Sequence, residues 1–417
     1  MIIFTDTYSD SARKLQDTMR RIKSDTRIAV IKDDGFLPEG VLSPCEYFVS
    51  RQNQAPHTEK DLFFDFIDVP EFWEIRSGGR NGGIFDMGCE KASIYFTEPP
   101  ENKNVHHVEW FMENGWVYKV DCYNKYGLKY ASEFRDPAGK VESKVFYSDR
   151  NQEVIVEQPQ NETITLLHDG KTKAFFISYL QFIDYYMNEA VPDGKCALFV
   201  QNDEQFERWG LSPELRERWE YILFKDDRLL NKYINTGGKR GYRFFEMPEG
   251  YPVNKAKGEA LILTASDEIE GINSLVSELQ NVIFHIAANT QVSDKMYKLA
   301  EQRNVEIYPQ ISPSDLNDLW GKCDFYLDIN HYREIFNAVD IAHQKNLLVL
   351  GFENTLHQKK LIAEENIFPD YACGDLIRRI KSLINQPVLM KELLEIQQRQ
   401  RYAMWETIQG VTENGEV

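Results

Sequence analysis

Residues 260–288, ALILTASDEIEGINSLVSELQNVIFHIAA, contain one complete strand-helix-strand unit. The runs ALILTA and VIFHIAA are continuously apolar, and the segment near 271–280 between them reads as a helix. Continuous apolar runs of this length are typical of strands that are buried on both faces of a parallel sheet. The stretch therefore predicts a pair of parallel strands joined by a right-handed helical crossover.

The rest of the last third of the chain repeats this alternation. Further helices and strands are predicted in turn at 293–303, 305–311, 313–321, 325–329, 334–345 and 347–352. We therefore assign residues 246–387 to a C-terminal Rossmann-like domain, and we expect residues 388–417 to form a helix and tail that cross back. Ligands of such sheets bind beyond the carboxyl ends of the strands, so the loops at those ends are the first candidates for a site.

The beginning of the chain also has an α/β pattern. IIFTD is a predicted strand, residues 8–22 a predicted helix, and RIAVIKDD the next strand. Two more apolar runs, ALFVQ (197–201) and YILF (221–224), appear only after a long insertion. We therefore predict a split N-terminal Rossmann-like domain made of residues 1–61 and 173–245.

The insertion, residues 62–172, has a regular series of turn signals. Asn114-Gly115, Tyr126-Gly127, Ala138-Gly139 and Arg150-Asn151 follow one another at a constant spacing, and Asp169-Gly170 fits a further hairpin. Two-residue turns at this spacing leave strands of about ten residues, which is long for a globular protein. Apolar and polar side chains alternate from residue 116 to 123, as in a strand with one drier face. The insertion is therefore predicted to be an extended antiparallel β-sheet, arranged as an up-and-down meander.

The composition of the chain argues against several classes of function. The chain has 417 residues, 42% of them hydrophobic, which is enough for two or three domains. The formal net charge of −18 argues against a nucleic-acid-binding protein and disfavours docking to anionic lipid. Six cysteines without a CxxC pair suggest buried reduced thiols, with neither a zinc site nor a disulfide framework. The chain shows no signal peptide or apolar span, so we expect a cytoplasmic protein.

Two Rossmann-like domains with a linker resemble the GT-B glycosyltransferase architecture. Five segments narrow this resemblance further: FLPEGVLSPCEYF (36–48), VPEFWEI (69–75), FHIAANT (284–290), LDINHYREIFNAV (327–339) and GFENTLH (351–357). Within the GT-B group they resemble the GtfB family, the stabilising or chaperone subunits of accessory-Sec O-GlcNAc transferases. The resemblance implies a GtfA-like catalytic partner that transfers GlcNAc from UDP-GlcNAc to Ser and Thr of serine-rich repeat adhesins. It also implies that the inserted sheet is of the kind that both subunits share.

The loop after the first strand of the C-terminal domain departs from active GT-B enzymes. The family pattern has an Arg and a Lys there, which hold the donor diphosphate. Here the loop carries Asp267, Glu268 and Glu270, and no Lys or Arg occurs from residue 258 to 294. A like charge at about 4 Å repels by roughly 4 kcal/mol at an effective dielectric of about 20. We therefore interpret this loop as a degenerate donor loop. Asp267 and Glu270 also fit a helix capping box, and both interpretations can hold together.

The pair of glutamates that active enzymes place near the sugar and ribose is also missing. If Asp340 stands for the second glutamate, Tyr332 occupies the first position and Glu334 is out of register. We therefore predict a subunit with no catalytic residue, no cofactor and no metal. The alternatives are an active retaining glycosyltransferase that uses His331 and Glu334 near the sugar, and a plain carbohydrate- or peptide-binding module.

Two candidate binding regions remain. Polar residues at the strand ends of the C-terminal domain would form an acceptor cleft: His331, Glu334, Asn337, Asn354 and His357. Each of them is equally compatible with a cap or a turn. Aromatic residues of the inserted sheet would contact the partner subunit: Trp116, Tyr118, Tyr130, Phe134 and Phe146. Their alternative role is to pack the sheet on its own domain. A disordered Ser/Thr-rich adhesin acceptor needs a long surface of weak contacts, which a cleft and a sheet together supply. Peripheral attachment to the cytoplasmic side of the membrane stays open.

Overall fold

The computed structural model describes residues 1–22, 24–54, 58, 60–192, 194–209 and 217–414. The chain divides into two compact units. Unit 1 comprises residues 1–19 and 24–244, and unit 2 comprises residues 20–23 and 245–417.

The strands and helices follow the chain in this order. The strands are β1 (Ile2–Thr5), β2 (Arg27–Val30), β3 (Glu74–Ser77), β4 (Asn81–Asp86), β5 (Cys89–Phe96), β6 (Val105–Phe111), β7 (Val117–Tyr123), β8 (Lys129–Arg135), β9 (Val141–Tyr147), β10 (Glu153–Gln158), β11 (Thr163–His168), β12 (Lys171–Phe176), β13 (Cys196–Val200), β14 (Ile222–Phe224), β15 (Gly241–Arg243), β16 (Glu259–Thr264), β17 (Ile283–Ala288), β18 (Val305–Tyr308), β19 (Phe325–Asp328), β20 (Leu348–Phe352) and β21 (Ile367–Phe368). The α-helices are α1 (Asp10–Arg21), α2 (Pro44–Ser50), α3 (Tyr179–Ala190), α4 (Asp203–Trp209), α5 (Asp227–Asn235), α6 (Ile272–Glu278), α7 (Asp294–Leu299), α8 (Pro313–Lys322), α9 (Ala338–Gln344), α10 (Cys373–Asn385) and α11 (Pro387–Asn414).

Unit 1 contains two sheets. The first is parallel, with strand order β15-β14-β13-β1-β2, which is one of the two common doubly wound orders. The second is a ten-stranded antiparallel sheet in which β3 to β12 lie side by side in chain order. It is inserted between β2 and β13 of the parallel sheet. The predicted up-and-down meander is therefore confirmed.

The hairpin turns of this meander differ from the sequence prediction. Gly115 N–H donates to the carbonyl of Met112 at 2.9 Å, and Met112 N–H donates to the carbonyl of Trp116 at 2.8 Å. Gly115 has a φ of +80°. This is a type I turn followed by a left-handed residue, which gives a three-residue loop. The same pair of bonds recurs at 124–128, 136–140 and 148–152. The two-residue turns predicted at these four positions are therefore wrong, and strands β6 to β9 have 7 residues each because each turn uses more of the repeat. The turn predicted at Asp169-Gly170 is confirmed as a two-residue turn, because His168 pairs directly with Lys171 and both turn residues have positive φ.

One core joins the two sheets of unit 1. Strands β8 to β11 contribute Ala131, Phe146, Ile155, Ile164 and Leu166 to it. The parallel sheet and the helices contribute Phe4, Phe48, Phe182, Tyr186 and Leu198 to the same cluster. All ten side chains are buried. The meander is therefore attached to the parallel sheet by hydrophobic packing across α2 and α3.

Gly35 lies where the loop after β2 approaches the meander. Its φ is +82°, and a Cβ atom there would lie 2.7 Å from Cε1 of Tyr130 and 3.0 Å from Cβ of Asn124. Its carbonyl accepts a hydrogen bond of 3.0 Å from Lys125 N–H. We expect Gly35→Ala to lower the free energy of unfolding of unit 1 by about 1–3 kcal/mol, measured by urea unfolding. Gly79→Ala, which meets no atom within 4 Å, should change it by less than about 0.5 kcal/mol. Equal effects of the two substitutions would contradict this account.

Unit 2 is built on a six-stranded parallel sheet. Its order is β18-β17-β16-β19-β20-β21, the other common doubly wound order. Successive crossovers reverse direction between β16 and β19, so the topological switch point lies there. Helix α11 packs on this sheet: the side chain of Gln397, 0% exposed, accepts from Val349 N–H and donates to the Leu347 carbonyl, both at 2.9 Å. With two parallel α/β sheets and the inserted meander, the predicted GT-B-like class is confirmed.

Candidate functional site

The switch point of unit 2 is closed by the chain's own backbone. The loop after β16 lies antiparallel to the segment after β19, with a bridge between Ile269 and Asn330. Glu270 N–H donates to the Ile329 carbonyl at 2.7 Å, and His331 N–H donates to the Glu268 carbonyl at 3.1 Å. The side chain of Asn330, 1% exposed, donates to the Leu263 carbonyl at 3.1 Å. The loop is therefore held across the crevice in which a doubly wound fold binds its ligand.

The start of α6 is not capped as the sequence suggested. Its N-cap is Gly271, with a φ of 64° and no side-chain cap. The Glu270 carboxylate instead contacts His331, with its Oε2 2.6 Å from Nε2 of the imidazole. The capping box of Asp267 and Glu270 is therefore wrong. The physical reason is the bridge to the segment after β19. It uses the backbone N–H of Glu270, the residue before the N-cap, so the loop is paired with that segment up to the start of the helix.

The charges of the degenerate donor loop face partly into solvent. Glu268 is exposed, whereas Asp267 and Glu270 are half-buried. One cation comes from outside the loop: Nζ of Lys295 lies 3.5 Å from the carbonyl oxygen of Asp267. Sequence reasoning missed Lys295 because it follows the acidic stretch directly and reaches the loop only through the βα crossover. The three carboxylates of the loop outnumber this amine, so the loop keeps a net negative charge.

Fully buried Asp328 pairs with half-buried His357 at the end of β19. Asp328 is 0% exposed. Its Oδ1 accepts from Nδ1 of His357 at 2.6 Å, and its Oδ2 accepts from the backbone N–H of His357 at 2.8 Å. Nε2 of His357 donates to the carbonyl of Tyr332. Both imidazole nitrogens therefore face acceptors, which favours the protonated ring. Sequence reasoning missed Asp328, although a carboxylate that ends a buried apolar strand was a usable signal.

This environment predicts a pH dependence of stability. Burial alone lowers the pKa of His357, but the hydrogen bond and charge of Asp328 and the Tyr332 carbonyl outweigh it and raise the pKa to about 9. A raised pKa stabilises the fold below the unfolded value, near 6.5, and this contribution disappears as the pH rises through 9. We expect His357→Gln to destabilise unit 2 by up to about 3 kcal/mol more at pH 6 than at pH 10, measured by urea unfolding. An equal loss at both pH values would contradict the protonated ring.

Glu334 and Asn337 hold the loop that leads into α9. Oε1 of Glu334 accepts from Val339 N–H at 2.8 Å, and Oε2 accepts from Nε2 of Gln358 at 2.7 Å. Burial raises the pKa of Glu334, although the two donors oppose the rise. Asn337, the N-cap of α9 with a φ of 55°, accepts from the same Gln358 amide at 3.1 Å. Glu334 therefore makes a contact to the start of the helix, and Asn337 lies at the N-cap without a side-chain cap bond, so both have local roles of the kind that were the alternative to ligand binding.

Asp340, the residue that would stand for the second family glutamate, is paired with Arg401 within unit 2. It is 6% exposed, and its Oδ1 accepts from Nη2 of Arg401, which is 0% exposed. Its Oδ2 accepts from Nδ2 of Asn337 at 3.0 Å and from Nε2 of Gln344 at 3.2 Å. Arg401 also donates to the Glu246 carbonyl. Both carboxylate oxygens therefore have internal partners.

The remaining candidate residues are placed as follows. Asn354 is exposed on the turn after β20, apart from the contacts just described. Trp116, Tyr118 and Phe134 are half-buried on the meander, and the Trp116 indole donates to the Asp136 carbonyl at 2.8 Å. Phe146 is only 3% exposed and belongs to the core of unit 1, and the ring of Tyr130 lies 6.2 Å from it. The prediction that Phe146 contacts a partner subunit is therefore wrong, because the face of the meander that carries Phe146 packs on α2.

The described residues lack two further kinds of feature, a metal-binding cluster and a membrane-spanning helix. Over the ranges given above, no group of three or more His, Cys, Asp or Glu side chains is arranged to hold a metal ion. Within those same ranges, no helix combines the length and the apolar character needed to cross a bilayer. All six cysteines are free thiols.

Comparison with known proteins gives consistent family matches along the chain. Three family models match: the GtfB N-terminal domain at residues 2–48, the GtfB middle domain at 73–176, and the GftB/GlyA-F C-terminal domain at 260–397. Two similar proteins are both named UDP-N-acetylglucosamine–peptide N-acetylglucosaminyltransferase stabilizing protein GtfB. The protein from Streptococcus parasanguinis is 30% identical over 371 residues, covering 81% of this chain and 83% of the relative. The one from Limosilactobacillus reuteri is 29% identical, covering 96% of each chain.

Among solved structures, a chain of a crystal structure of the GtfA/B complex matches with a TM-score of 0.51 and 15% identity, covering 99% of each chain. At this identity the match supports the fold alone. The family matches reach from β1 to α11, and the 30% identical relative is covered over most of its length. The chain therefore belongs to the GtfB family of glycosyltransferase-stabilising proteins.

Proposed function

We propose that this chain is the non-catalytic, stabilising and acceptor-binding subunit of a protein O-GlcNAc transferase complex. A GtfA-like partner carries the activity and attaches the first GlcNAc to Ser and Thr of serine-rich repeat adhesins. The observation that carries the proposal is the closed switch point of unit 2 in a chain of this family. Because the donor is a nucleotide sugar, we place the complex in the cytoplasm.

Three features of unit 2 argue against donor binding. The bridge between Ile269 and Asn330 occupies the crevice at the switch point. The loop beside it is acidic, so it repels a diphosphate. Asp340, which would face the ribose by the family pattern, is bonded to Arg401. A donor would have to displace backbone pairing and a buried ion pair, both of which cost free energy.

The stabilising role needs a surface for the partner, and we propose the β3 edge of the meander. Strand β3 is the first strand of the ten-stranded sheet and has a neighbour on one side. The segment leading into it exposes two aromatic rings: Phe66 is 75% exposed and Phe72 is 89% exposed. Phe72 also has a φ of 72°, which is unfavourable for an aromatic residue. An edge strand with exposed aromatic residues beside it is suited to pairing with another sheet.

Binding of a folded partner raises that partner's stability by mass action, and a second binding surface raises the effective concentration of the acceptor. A disordered Ser/Thr-rich chain buries little surface, so it gains from several weak contacts. In both effects the GtfA-like partner catalyses the GlcNAc transfer, and this chain does not.

The test compares GlcNAc transfer to a Ser/Thr-rich peptide by this chain, by a GtfA-like partner, and by both together. We expect no transfer by this chain, weak transfer by the partner, and a strong increase for the mixture. Calorimetry of this chain with UDP-GlcNAc should show no heat of binding. Sustained transfer by this chain alone would overturn the proposal and favour the active retaining glycosyltransferase.

A further inference from the structure

Two adjacent imidazole rings meet on β6 of the meander. Nδ1 of His106 lies 2.8 Å from Nδ1 of His107. Neighbouring residues of a regular strand point to opposite faces, so this contact requires a local irregularity. The register supplies it, because Tyr95 of β5 pairs with His107 whereas the next residue, Phe96, pairs with Val105. His106 is therefore the extra residue of a β-bulge, which turns its side chain toward that of His107.

Each of the two rings is held by an aromatic neighbour. The His106 ring stacks on Phe36, with ring centroids 5.3 Å apart and planes inclined by 8°. The His107 ring stacks on Tyr95, with centroids 4.5 Å apart and the same inclination of 8°. The imidazoles themselves are nearly perpendicular, at 80°. The loop after β2 and strand β5 therefore fix the orientation in which the two Nδ1 atoms face each other.

Both imidazoles are neutral near pH 7. Burial lowers the pKa of His106. Burial also lowers the pKa of His107, to about 4, and the charges of His106 and Arg135 add to this shift. Two neutral rings at this distance share one N–H···N hydrogen bond, in which one Nδ1 donates and the other accepts. When both rings carry their proton on Nε2 instead, both Nδ1 lone pairs are free to bind a cation.

The number of ligands decides which cation fits this pair. Structural zinc takes four ligands, and within the described ranges no third His, Cys, Asp or Glu completes a metal-binding group. Monovalent copper and silver are soft ions that bind two nitrogen donors in a straight line, and imidazole is a suitable ligand for copper. Metal–nitrogen bonds of about 2.0 Å place the donors about 4 Å apart, so the rings would separate by roughly 1 Å. Each ring can make this movement by sliding along the plane of its aromatic neighbour.

The charges around the pair also favour a bound cation. The charged side chains that act on the two imidazoles, together with their ion-pair partners, are three carboxylates and two cations: Asp34, Glu109, Glu133, Arg135 and Lys144. Their formal charges sum to −1. A monovalent ion between the rings would bring this sum to zero, whereas a divalent ion would leave an excess positive charge at a half-buried position.

We propose that His106 and His107 bind one Cu(I) ion through their two Nδ1 atoms. Binding replaces the shared hydrogen bond by two coordinate bonds. The proton that lay between the rings moves to Nε2 of its own ring, so no proton is released and the site gains one positive charge. The site lies within unit 1, and it depends neither on the partner subunit nor on the acceptor.

Nitrogen-15 NMR of the isolated chain with Ag(I), a redox-stable ion of the same charge and preferred geometry, tests the site. The Cys89→Ser chain is used, because Cys89 is an exposed thiol. We expect the Nδ1 signals of His106 and His107 to move together and to show coupling to silver, while both Nε2 signals stay those of N–H groups. Unchanged Nδ1 signals, or a change in only one ring, would overturn the proposal. Silver held by thiols alone would give the first of these results.

Variants of the same Cys89→Ser chain locate the Cu(I) ion. Competition with bicinchoninate in the absence of oxygen measures the affinity. His106→Gln and His107→Gln should each weaken binding at least about 100-fold, since even groups outside the coordination sphere contribute up to that factor. His168→Gln is the matched control and should leave the affinity unchanged, because the His168 side chain is 60% exposed on β11.

Circular dichroism checks that the three glutamine variants are folded. If a variant at residue 106 or 107 does not fold, the NMR result on the Cys89→Ser chain decides alone. Equal Cu(I) affinities in the folded variants would show that the ion binds elsewhere, and the proposal would be wrong.

Discussion

Replacing Arg401 by methionine should lower the free energy of unfolding of unit 2 by about 3–5 kcal/mol. Arg401 is 0% exposed and bonded to Asp340, which is 6% exposed. Removing the guanidinium leaves a buried carboxylate without its counter-charge. The desolvation of that unpaired charge is the largest contribution to the expected loss of folding free energy. Hydrogen exchange of the β20 amides (Leu348–Phe352) measures this loss directly in unit 2.

A second variant separates loss of the pair from loss of packing. Arg401→Met combined with Asp340→Leu removes both charges, and we expect it to recover at least half of the lost stability. Arg399→Met, on the same helix with a side chain that is 76% exposed, should cost less than about 0.5 kcal/mol. If the double variant were less stable than Arg401→Met alone, the buried-charge explanation would be wrong.

The second large effect concerns the proposed partner surface. Replacing Phe66 and Phe72 together by serine should weaken binding of the GtfA-like partner by at least about 30-fold, because exposed aromatic residues that become buried at an interface dominate its affinity. The two side chains are 75% and 89% exposed, so the stability of the isolated chain should change little. Surface plasmon resonance gives the affinity, and thermal unfolding checks the fold.

Tyr371→Ser is the matched control for this experiment, since Tyr371 is an 89% exposed aromatic residue in unit 2. It should leave partner affinity unchanged. An unchanged affinity of the double serine variant would exclude the β3 edge. The half-buried residues Trp116, Tyr118 and Phe134 would then be the next positions to vary.

The sequence predicted the parallel sheets well, for a physical reason. ALILTA and VIFHIAA are continuously apolar because β16 and β17 are buried on both faces, so their pattern reports their position directly. The spacing of the turns also predicted the meander correctly. It did not predict the lengths of the strands. A glycine in a turn is compatible with two- and three-residue loops, and only the hydrogen bonds of residues 112–116 distinguish them.

The contacts of the candidate site could not be predicted from the sequence. His357 was a candidate by its type, yet it lies in the loop after β20 and its partner Asp328 ends β19, 29 positions earlier. Arg401 and Asp340 are 61 positions apart. Such pairs depend on how helices and loops meet in three dimensions, which spacing does not reveal. The inward direction of Phe146 was likewise decided by packing on α2, since an alternating strand has two faces and the sequence did not identify the buried one.

The position of the meander has a consequence for how the chain folds during synthesis. Ile2 of β1 pairs with Cys196 of β13, so the parallel sheet of unit 1 cannot be completed until the whole insertion has been made. At about 5–20 residues per second, that interval lasts roughly 10–40 seconds. Each hairpin of the meander joins neighbouring strands, so the meander can form in chain order while synthesis continues. The nascent sheet would thus expose its Ala131 and Phe146 face until α3 and β13 arrive, and a chaperone that holds apolar surface would be most useful in that interval.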